Sequence, residues 1–269
     1  MYSVAELTAQ LAALGLSRRT GVVLVHAALR SVGPVEGGSA GLLAAVRAAL
    51  GPDGTVVAFT ATPENSETSR LDAGATAGLD RAALEVYRSA MPAFDPRTTP
   101  SSPTMGRLSE ELRTTPGALR SSHPQTSFAA LGPLAADLLE DHPLDCHLGE
   151  RSPLGRLYKA GASVLMLGAP TSRCTVLHLA EYRTAGMPGK RYGCKVRGAD
   201  GKPLWIRFEA LDLDDLHFPR MLQETRPLIT EAREGRIGGA DCLLLPVVPA
   251  VDTAVAWLER HPEVRRSLT

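Results

Sequence analysis

Lysine is almost missing from this chain of 269 residues. Lys159, Lys190, Lys195 and Lys202 are the four it has. Arginine therefore carries nearly all of the positive charge, and arginine suits bidentate phosphate recognition wherever a few side chains converge. Net charge is missing as well. Lys+Arg and Asp+Glu both number 29, which leaves no global field to attract nucleic acid or an anionic membrane surface. Long apolar runs are absent: Val22–Val25 and Cys242–Val248 fall far short of the roughly 20 residues that a membrane-spanning helix needs. The N-terminus has no apolar h-region of a signal peptide. The four cysteines, Cys146, Cys174, Cys194 and Cys242, are scattered with no C-x-x-C pair and no secretory context, so reduced thiols are expected; a zinc site from Cys174 and His178 lacks further ligands. There is no internal repeat and no low-complexity segment. These absences exclude nucleic-acid binding and membrane insertion as leading functions and point to a cytoplasmic protein.

What remains is ordinary globular composition, 44% apolar and 22% charged, in a chain long enough to bury a sizeable core. Ser3-Val-Ala-Glu6 is a capping box that starts an amphipathic helix on Val4, Leu7, Leu11 and Leu14. Val22–Ala27 reads as a buried strand, Ser39 as the cap of a helix Ala40–Leu50 that stops at Gly51, and Thr55–Thr60 as a second strand. This β-α-β unit implies parallel pairing. Residues Ala61–Thr76 are polar without a period, which suggests a loop or lid. A helix near Asp80–Ala90 and a proline-rich crossing Met91–Pro103 follow. Helices at Met105–Arg113, Leu134–Glu140 and Pro153–Ala160 frame a strand at Ser127–Leu131. Ser163–Gly168 is another apolar strand. Tyr192–Arg197 and Leu204–Glu209 form a hairpin about Gly198-Ala-Asp-Gly201. Strand Asp241–Val247 and helix Val251–Arg260 close the chain. The expected fold is a single α/β domain over residues 1–269. It is three-layer-like, with a mixed, largely parallel sheet flanked by helices and a late antiparallel hairpin.

Three segments carry the chemistry. After strand Ser163–Gly168, Cys174-Thr-Val-Leu-His178-Leu-Ala-Glu181-Tyr182 reads as a helix start that puts Cys174, His178 and Glu181 on one face. A histidine beside a carboxylate can take a proton near neutral pH; the alternative is a satisfied core histidine. His26-Ala-Ala-Leu29-Arg30-Ser31-Val32-Gly33 to Gly38-Ser39 joins a strand end to a helix start through a glycine-rich loop, a pattern suited to phosphate. It matches neither the P-loop nor the dinucleotide fingerprint. Ser101–Glu110 sets Thr104 and Ser109 hydroxyls at a helix start, with Gly106 open to close approach; simple N-capping explains it equally well. His123-Pro124 reads as a rigid turn.

Six segments occur in order: L-V-H-A-A-L-R-S-V-G-P-V-E-G-G, S-P-T-M-G-R-L-S-E, R-S-S-H-P-Q-T-S-F-A-A-L-G, S-P-L-G-R-L-Y, V-L-M-L-G-A-P and T-V-L-H-L-A-E-Y. Over about residues 20–185 the ordered set resembles the aminoglycoside 3-N-acetyltransferase family; beyond Gly186 the likeness loosens. The commoner acetyltransferase superfamily carries an R/Q-x-x-G-x-G/A loop. Its nearest match, Arg30-Ser-Val-Gly33-Pro-Val35, ends in valine, which disfavours that fold.

The resemblance implies transfer of acetyl from acetyl-CoA to an amine of an aminoglycoside antibiotic, conferring resistance, with no metal. It implies a coenzyme site at Leu29, Arg30, Ser31, Val32 and Gly33, at Phe59 and Thr60, and at Thr104, Met105, Gly106, Arg107 and Ser109. It also implies that His178 is the base, with Glu181 one turn along. An oxyanion donor is expected from backbone N–H groups near Ser31-Val32 or from the Thr60 hydroxyl. A polycationic acceptor needs carboxylates, and Glu64, Glu67 and Asp72, or Glu209, Asp212, Asp214 and Asp215, are the candidates. Asp212 and Asp214 stand out because spacing of two in a strand aims both to one side. The rival readings are an acetyltransferase of the same fold acting on another amine-bearing antibiotic, an idle coenzyme-binding protein, and a hydrolase using a Cys174–His178 dyad. Oligomeric state is not encoded in any of these features.

Overall fold

The run Val22-Val-Leu-Val is apolar at every position because both of its faces are covered. Val23 and Val25 pack with Leu7, Leu11, Leu42, Val46, Leu108 and Leu112 on one side of the sheet. Val22 and Leu24 pack with Leu154, Leu177, Leu179, Phe218 and Trp257 on the other. Strands buried on both faces lose the apolar/polar alternation of a half-exposed sheet. The result is a layer of helices, a sheet and a second layer of helices in a computed structural model that describes residues 1–266.

The strands are β1 (Val22–Ala27), β2 (Thr55–Phe59), β3 (Leu119–Arg120), β4 (Phe128–Leu131), β5 (Ser163–Leu167), β6 (Gly189–Arg197), β7 (Pro203–Leu211), β8 (Arg233–Ile237) and β9 (Ala240–Pro246). Seven of them form one sheet in the order β3-β4-β2-β1-β5-β9-β8, and β6-β7 is a separate hairpin. Strand β1 pairs in parallel with β2 and with β5. The pairings β2-β4, β3-β4, β5-β9 and β8-β9 are antiparallel. Five strands (β1, β2, β3, β5 and β8) thus point the same way, although adjacent parallel pairing is confined to the centre. The C-terminal ends of β1, β2 and β5 therefore lie side by side, where open α/β sheets bind ligands.

Several local expectations hold. The Ser3 capping box forms, with Ser3 Oγ accepting the Glu6 N–H and the Glu6 carboxylate accepting the Ser3 N–H. The hairpin registers from Gly189↔Leu211 to Arg197↔Pro203. Other segments differ. The helix expected from Ala40 begins at Gly38 behind Gly37, without a side-chain cap; Ser39 Oγ donates instead to Glu111 Oε2 at 2.8 Å, joining two helices. The polar stretch after β2 holds a 3-10 turn Pro63–Asn65 and a helix Arg70–Thr76 capped by Ser69. The last long helix begins at Val247, well before Val251. The helix Phe218–Thr225 and strands β3 and β8 carried no clear signal. Strand β8 is an edge strand exposed at four of its five positions, and no buried face had to be written into its sequence. Among the described residues no helix is long and apolar enough to cross a membrane.

Candidate active site

Three chain segments converge beyond the C-terminal ends of β1, β2 and β5. After β5 the chain turns at Gly168, where φ is +66° and an added Cβ would lie 2.7 Å from the Ser31 side chain and 3.0 Å from that of Ala240. Only glycine fits there without displacing its neighbours. Two 3-10 turns, Thr171–Arg173 and Thr175–Leu177, then lead to the helix His178–Arg183. This corrects the expected single helix from Cys174. The thiol lies before the helix, wholly buried, and burial pushes its pKa up to about 12. It is neither on the His178 face nor a ready nucleophile.

His178 and Glu181 do come together. His178 Nδ1 lies 2.5 Å from Glu181 Oε2, three residues apart on one helix. The Glu181 side chain has no solvent exposure, whereas that of His178 keeps 13%. Burial pushes the Glu181 carboxyl above its ordinary value; the His178 ring bonded to it, and the nearby Asp214 backbone, pull against that shift. With Nδ1 committed to the carboxylate, Nε2 is the ring nitrogen left to accept a proton. The second oxygen of Glu181 is 3.4 Å from His217 Nε2. Burial, and then the neighbouring His178, hold His217 down at about 4, so it stands there as a neutral ring. His26, at the end of β1, is likewise held at about 4 by burial and by Arg173 and His178.

His178 stands where two openings meet. A short throat lined by His26, Ala27, Phe59, Met105, Gly106 and His178 opens on one side into a groove. Leu29, Arg30 and Gly33 form one wall of that groove, and Pro100–Pro103, Gly106 and Arg107 form the other. Gly106, at φ +85°, brings its backbone against β1, since an added Cβ would lie 3.0 Å from the Ala27 carbonyl oxygen. Glu110 also borders the groove, but Arg113 and the Ser101 N–H hold its carboxylate at 2.6–2.8 Å. Among the described residues lining the groove, exposed Arg30 and Arg107 are left as the free charges, a donor set that fits phosphate groups. On the other side the throat opens into a cleft bounded by Arg70, Leu71, His147, Tyr192, Asp215 and Leu216. Tyr192 comes from the hairpin, whose Tyr192 and Phe208 rings pack on His147 at 4.3 and 5.4 Å.

Not every residue expected at the coenzyme site lies in these openings. Thr60 is fully buried and hydrogen-bonds the Ser127 carbonyl and hydroxyl at 3.1 and 3.2 Å, so its hydroxyl serves the β2-β4 pairing. Ser109 Oγ donates to the Met105 carbonyl at 3.0 Å, in the 3-10 turn that precedes its helix. Val32 is buried, and the Ser31 N–H is committed to the Ala28 carbonyl at 2.9 Å. Leu29, Arg30, Gly33, Phe59, Thr104, Met105, Gly106 and Arg107 line the openings. Among the expected acidic residues, Glu64 accepts the Ser102 hydroxyl at 2.6 Å and Asp72 is buried 4.0 Å from Arg88. Glu209 is exposed on β7 opposite Arg191, and Asp212 lies 3.5 Å from Lys190. None of these four lines the cleft. Strand β7 ends at Leu211, so strand alternation does not govern Asp212–Asp215; in the turn that follows, Asp215 is the residue that faces the cleft. Arg70, Arg173, His26 and His147 also line these openings and carry no signal in their spacing. Among the described residues, no group of three or more His, Cys, Asp or Glu side chains is arranged to hold a metal ion.

Comparison with known proteins agrees with this architecture. A family model described as aminoglycoside 3-N-acetyltransferase matches residues 24–259. The chain is 36% identical over 274 residues to aminoglycoside N(3)-acetyltransferase III of Serratia marcescens, covering 97% of this chain and 98% of that protein. Its fold matches the structure of AAC-IIIb in a binary complex with CoASH, with a TM-score of 0.83, 35% identity and 97% of each chain covered. The neutron/X-ray structure of sisomicin-bound AAC-VIa also gives a TM-score of 0.83, at 30% identity, over 97% of this chain and 98% of that one. With the match running from β1 through the last long helix, the chain belongs to the aminoglycoside 3-N-acetyltransferase family.

Proposed function

We propose that this enzyme transfers the acetyl group of acetyl-CoA to the 3-amino group of an aminoglycoside antibiotic, conferring resistance, with His178 as the general base. One observation carries the reading. His178 sits at the junction of an arginine-bearing groove and a separate cleft, its ring held from behind by a buried carboxylate.

Arg30 and Arg107 take the phosphate end of the coenzyme, and the throat between Ala27 and Gly106 admits the thioester arm. The acceptor enters from the cleft. An ammonium cannot attack a thioester, so the acceptor nitrogen must lose a proton first. That first proton goes to solvent; as the neutral nitrogen attacks the carbonyl carbon, His178 Nε2 takes a second N–H proton, a role that contributes about 10²–10⁴-fold in rate. Glu181 fixes the tautomer and stabilises the imidazolium. As the tetrahedral intermediate collapses, the C–S bond breaks and the imidazolium returns the proton to the departing thiolate. No covalent enzyme intermediate is required, in keeping with the buried thiol of Cys174.

The test is an acceptor screen with acetyl-CoA and a thiol reagent. CoA release that depends on an aminoglycoside, with the acetylated 3-amine identified by NMR, supports the reading. Release without any amine acceptor favours a hydrolase, and no release with any acceptor favours an idle coenzyme-binding protein.

A further inference from the structure

The carboxylates nearest the acceptor cleft already hold cations from this chain. Arg70 Nη2 lies 2.6 Å from Asp214 Oδ1, and Arg70 Nη1 lies 3.1 Å from Asp215 Oδ1. Arg173 Nη1 is 3.8 Å from the other oxygen of Asp215, and Lys190 Nζ is 3.5 Å from Asp212. Among the described residues lining the cleft, Asp215 is the one carboxylate, set against the two guanidiniums of Arg70 and Arg173. That balance is the reverse of what a polycationic sugar needs. The Asp214 backbone also acts on the Glu181 carboxyl, so the Asp214–Asp215 pair adjoins the His178–Glu181 couple.

We propose that Arg70 is a specificity-determining residue: its guanidinium fills the ammonium subsite made by Asp214 and Asp215 until an acceptor's own ammonium displaces it. This rests on the aminoglycoside reading given above. Arg70 occupies Asp214 Oδ1 and Asp215 Oδ1, so an acceptor ammonium that reaches for these oxygens competes with the guanidinium. The bridge is suited to exchange. The Arg70 side chain is 68% exposed, and exposed ion pairs are held weakly. It starts a short helix, Arg70–Thr76, and reaches across to the turn after β7, with exposed Leu71 and Leu216 beside it on the cleft wall. Acceptors are thereby discriminated by how strongly their amines compete with a guanidinium for the pair.

The experiment compares the parent with R70A and R70K on a panel of aminoglycosides of increasing amine count. R70A should lower the KM for aminoglycosides by about 3- to 30-fold, most for the most highly charged acceptors, with the KM for acetyl-CoA as internal reference. R70K keeps a cation near the pair and should stay closer to the parent. The advantage of R70A should shrink as salt is raised. An unchanged or higher aminoglycoside KM in R70A overturns the proposal. A parent that releases no CoA with any aminoglycoside overturns the functional reading instead. Calorimetric binding of neamine to coenzyme A-loaded parent and R70A then decides the role of Arg70, tighter binding to R70A supporting it and equal or weaker binding overturning it. If R70A does not fold, R70Q is measured in its place with the same outcomes.

Discussion

His178 Nδ1 and Glu181 Oε2 meet at 2.5 Å within one helical turn, with the carboxylate fully buried and the imidazole at the mouth of the cleft. A base needs a ring held in one orientation and one tautomer, and this contact supplies both. Replacing His178 by Ala should cut turnover by about 10²-fold or more while coenzyme binding is nearly retained. Steady-state rates and calorimetric titration with CoA check this. A folded variant with most of its activity would end the assignment.

Glu181→Gln tests the carboxylate separately. The amide keeps the shape, but it removes the charge that stabilises the imidazolium and can present N–H to a nitrogen that must itself donate. Turnover should fall by roughly 10- to 10³-fold with little change in either KM. Thermal melting should show the fold intact, because a neutral group is buried more cheaply than a charge.

Cys174→Ala should keep turnover within a few-fold of the parent. The thiol is buried, held at about 12 by that burial, and lies outside the helix that carries His178. Iodoacetamide should leave the native enzyme active, since all four cysteines are buried. Rapid inactivation, protected by acetyl-CoA, would revive a thiol nucleophile.

The sequence carried the central strands, the hairpin and the His178–Glu181 pair for local reasons. Apolar runs, turn glycines and a three-residue helical spacing are written in adjacent letters. Asp215 shows what was not legible. Its neighbours Asp212 and Asp214 were favoured by strand alternation, yet β7 has already ended at Leu211. Which acid of a turn faces a cleft is set by packing against Arg70 and Arg173, remote in sequence. Thr60 and Ser109 failed differently. A hydroxyl at a strand end or helix start reads as a free donor, and only the structure shows it already bonded to Ser127 or Met105.

Acid should destabilise the enzyme through its buried histidines. Burial holds His26, His123 and His217 at about 4 and His142 at about 3, and pushes His147 well below its ordinary value. Each is neutral in the fold but takes a proton below about 6.5 when unfolded. Their stabilising effect is complete above that pH and is lost as pH falls towards 4, by about 1.4 kcal/mol per pH unit for each group in the window. Denaturant midpoints between pH 7.5 and 4.5 should fall steeply. His142→Asn should lower stability at pH 7.5, because His142 bonds Ser121 and the His147 carbonyl, and should flatten the slope. A midpoint independent of pH over this range would refute the buried-histidine account.

Arg30 and Arg107 give the test of the coenzyme groove. They project from opposite walls, and the nearby Glu110 is neutralised by Arg113, so phosphate would meet two cations without a competing anion. Removing one exposed charge-assisted contact should raise the KM for acetyl-CoA by roughly 5- to 50-fold, with little effect on the KM for the aminoglycoside. The loss should shrink at high salt, where the parent also binds more weakly. A truncated acetyl-pantetheine donor separates phosphate recognition from general damage. It lacks the phosphate groups, so with arginine–phosphate recognition Arg30→Ala should affect its use far less than that of acetyl-CoA. If both donors weaken equally, the arginines shape the loop rather than bind phosphate, and the coenzyme must be held chiefly by the Thr104–Gly106 turn.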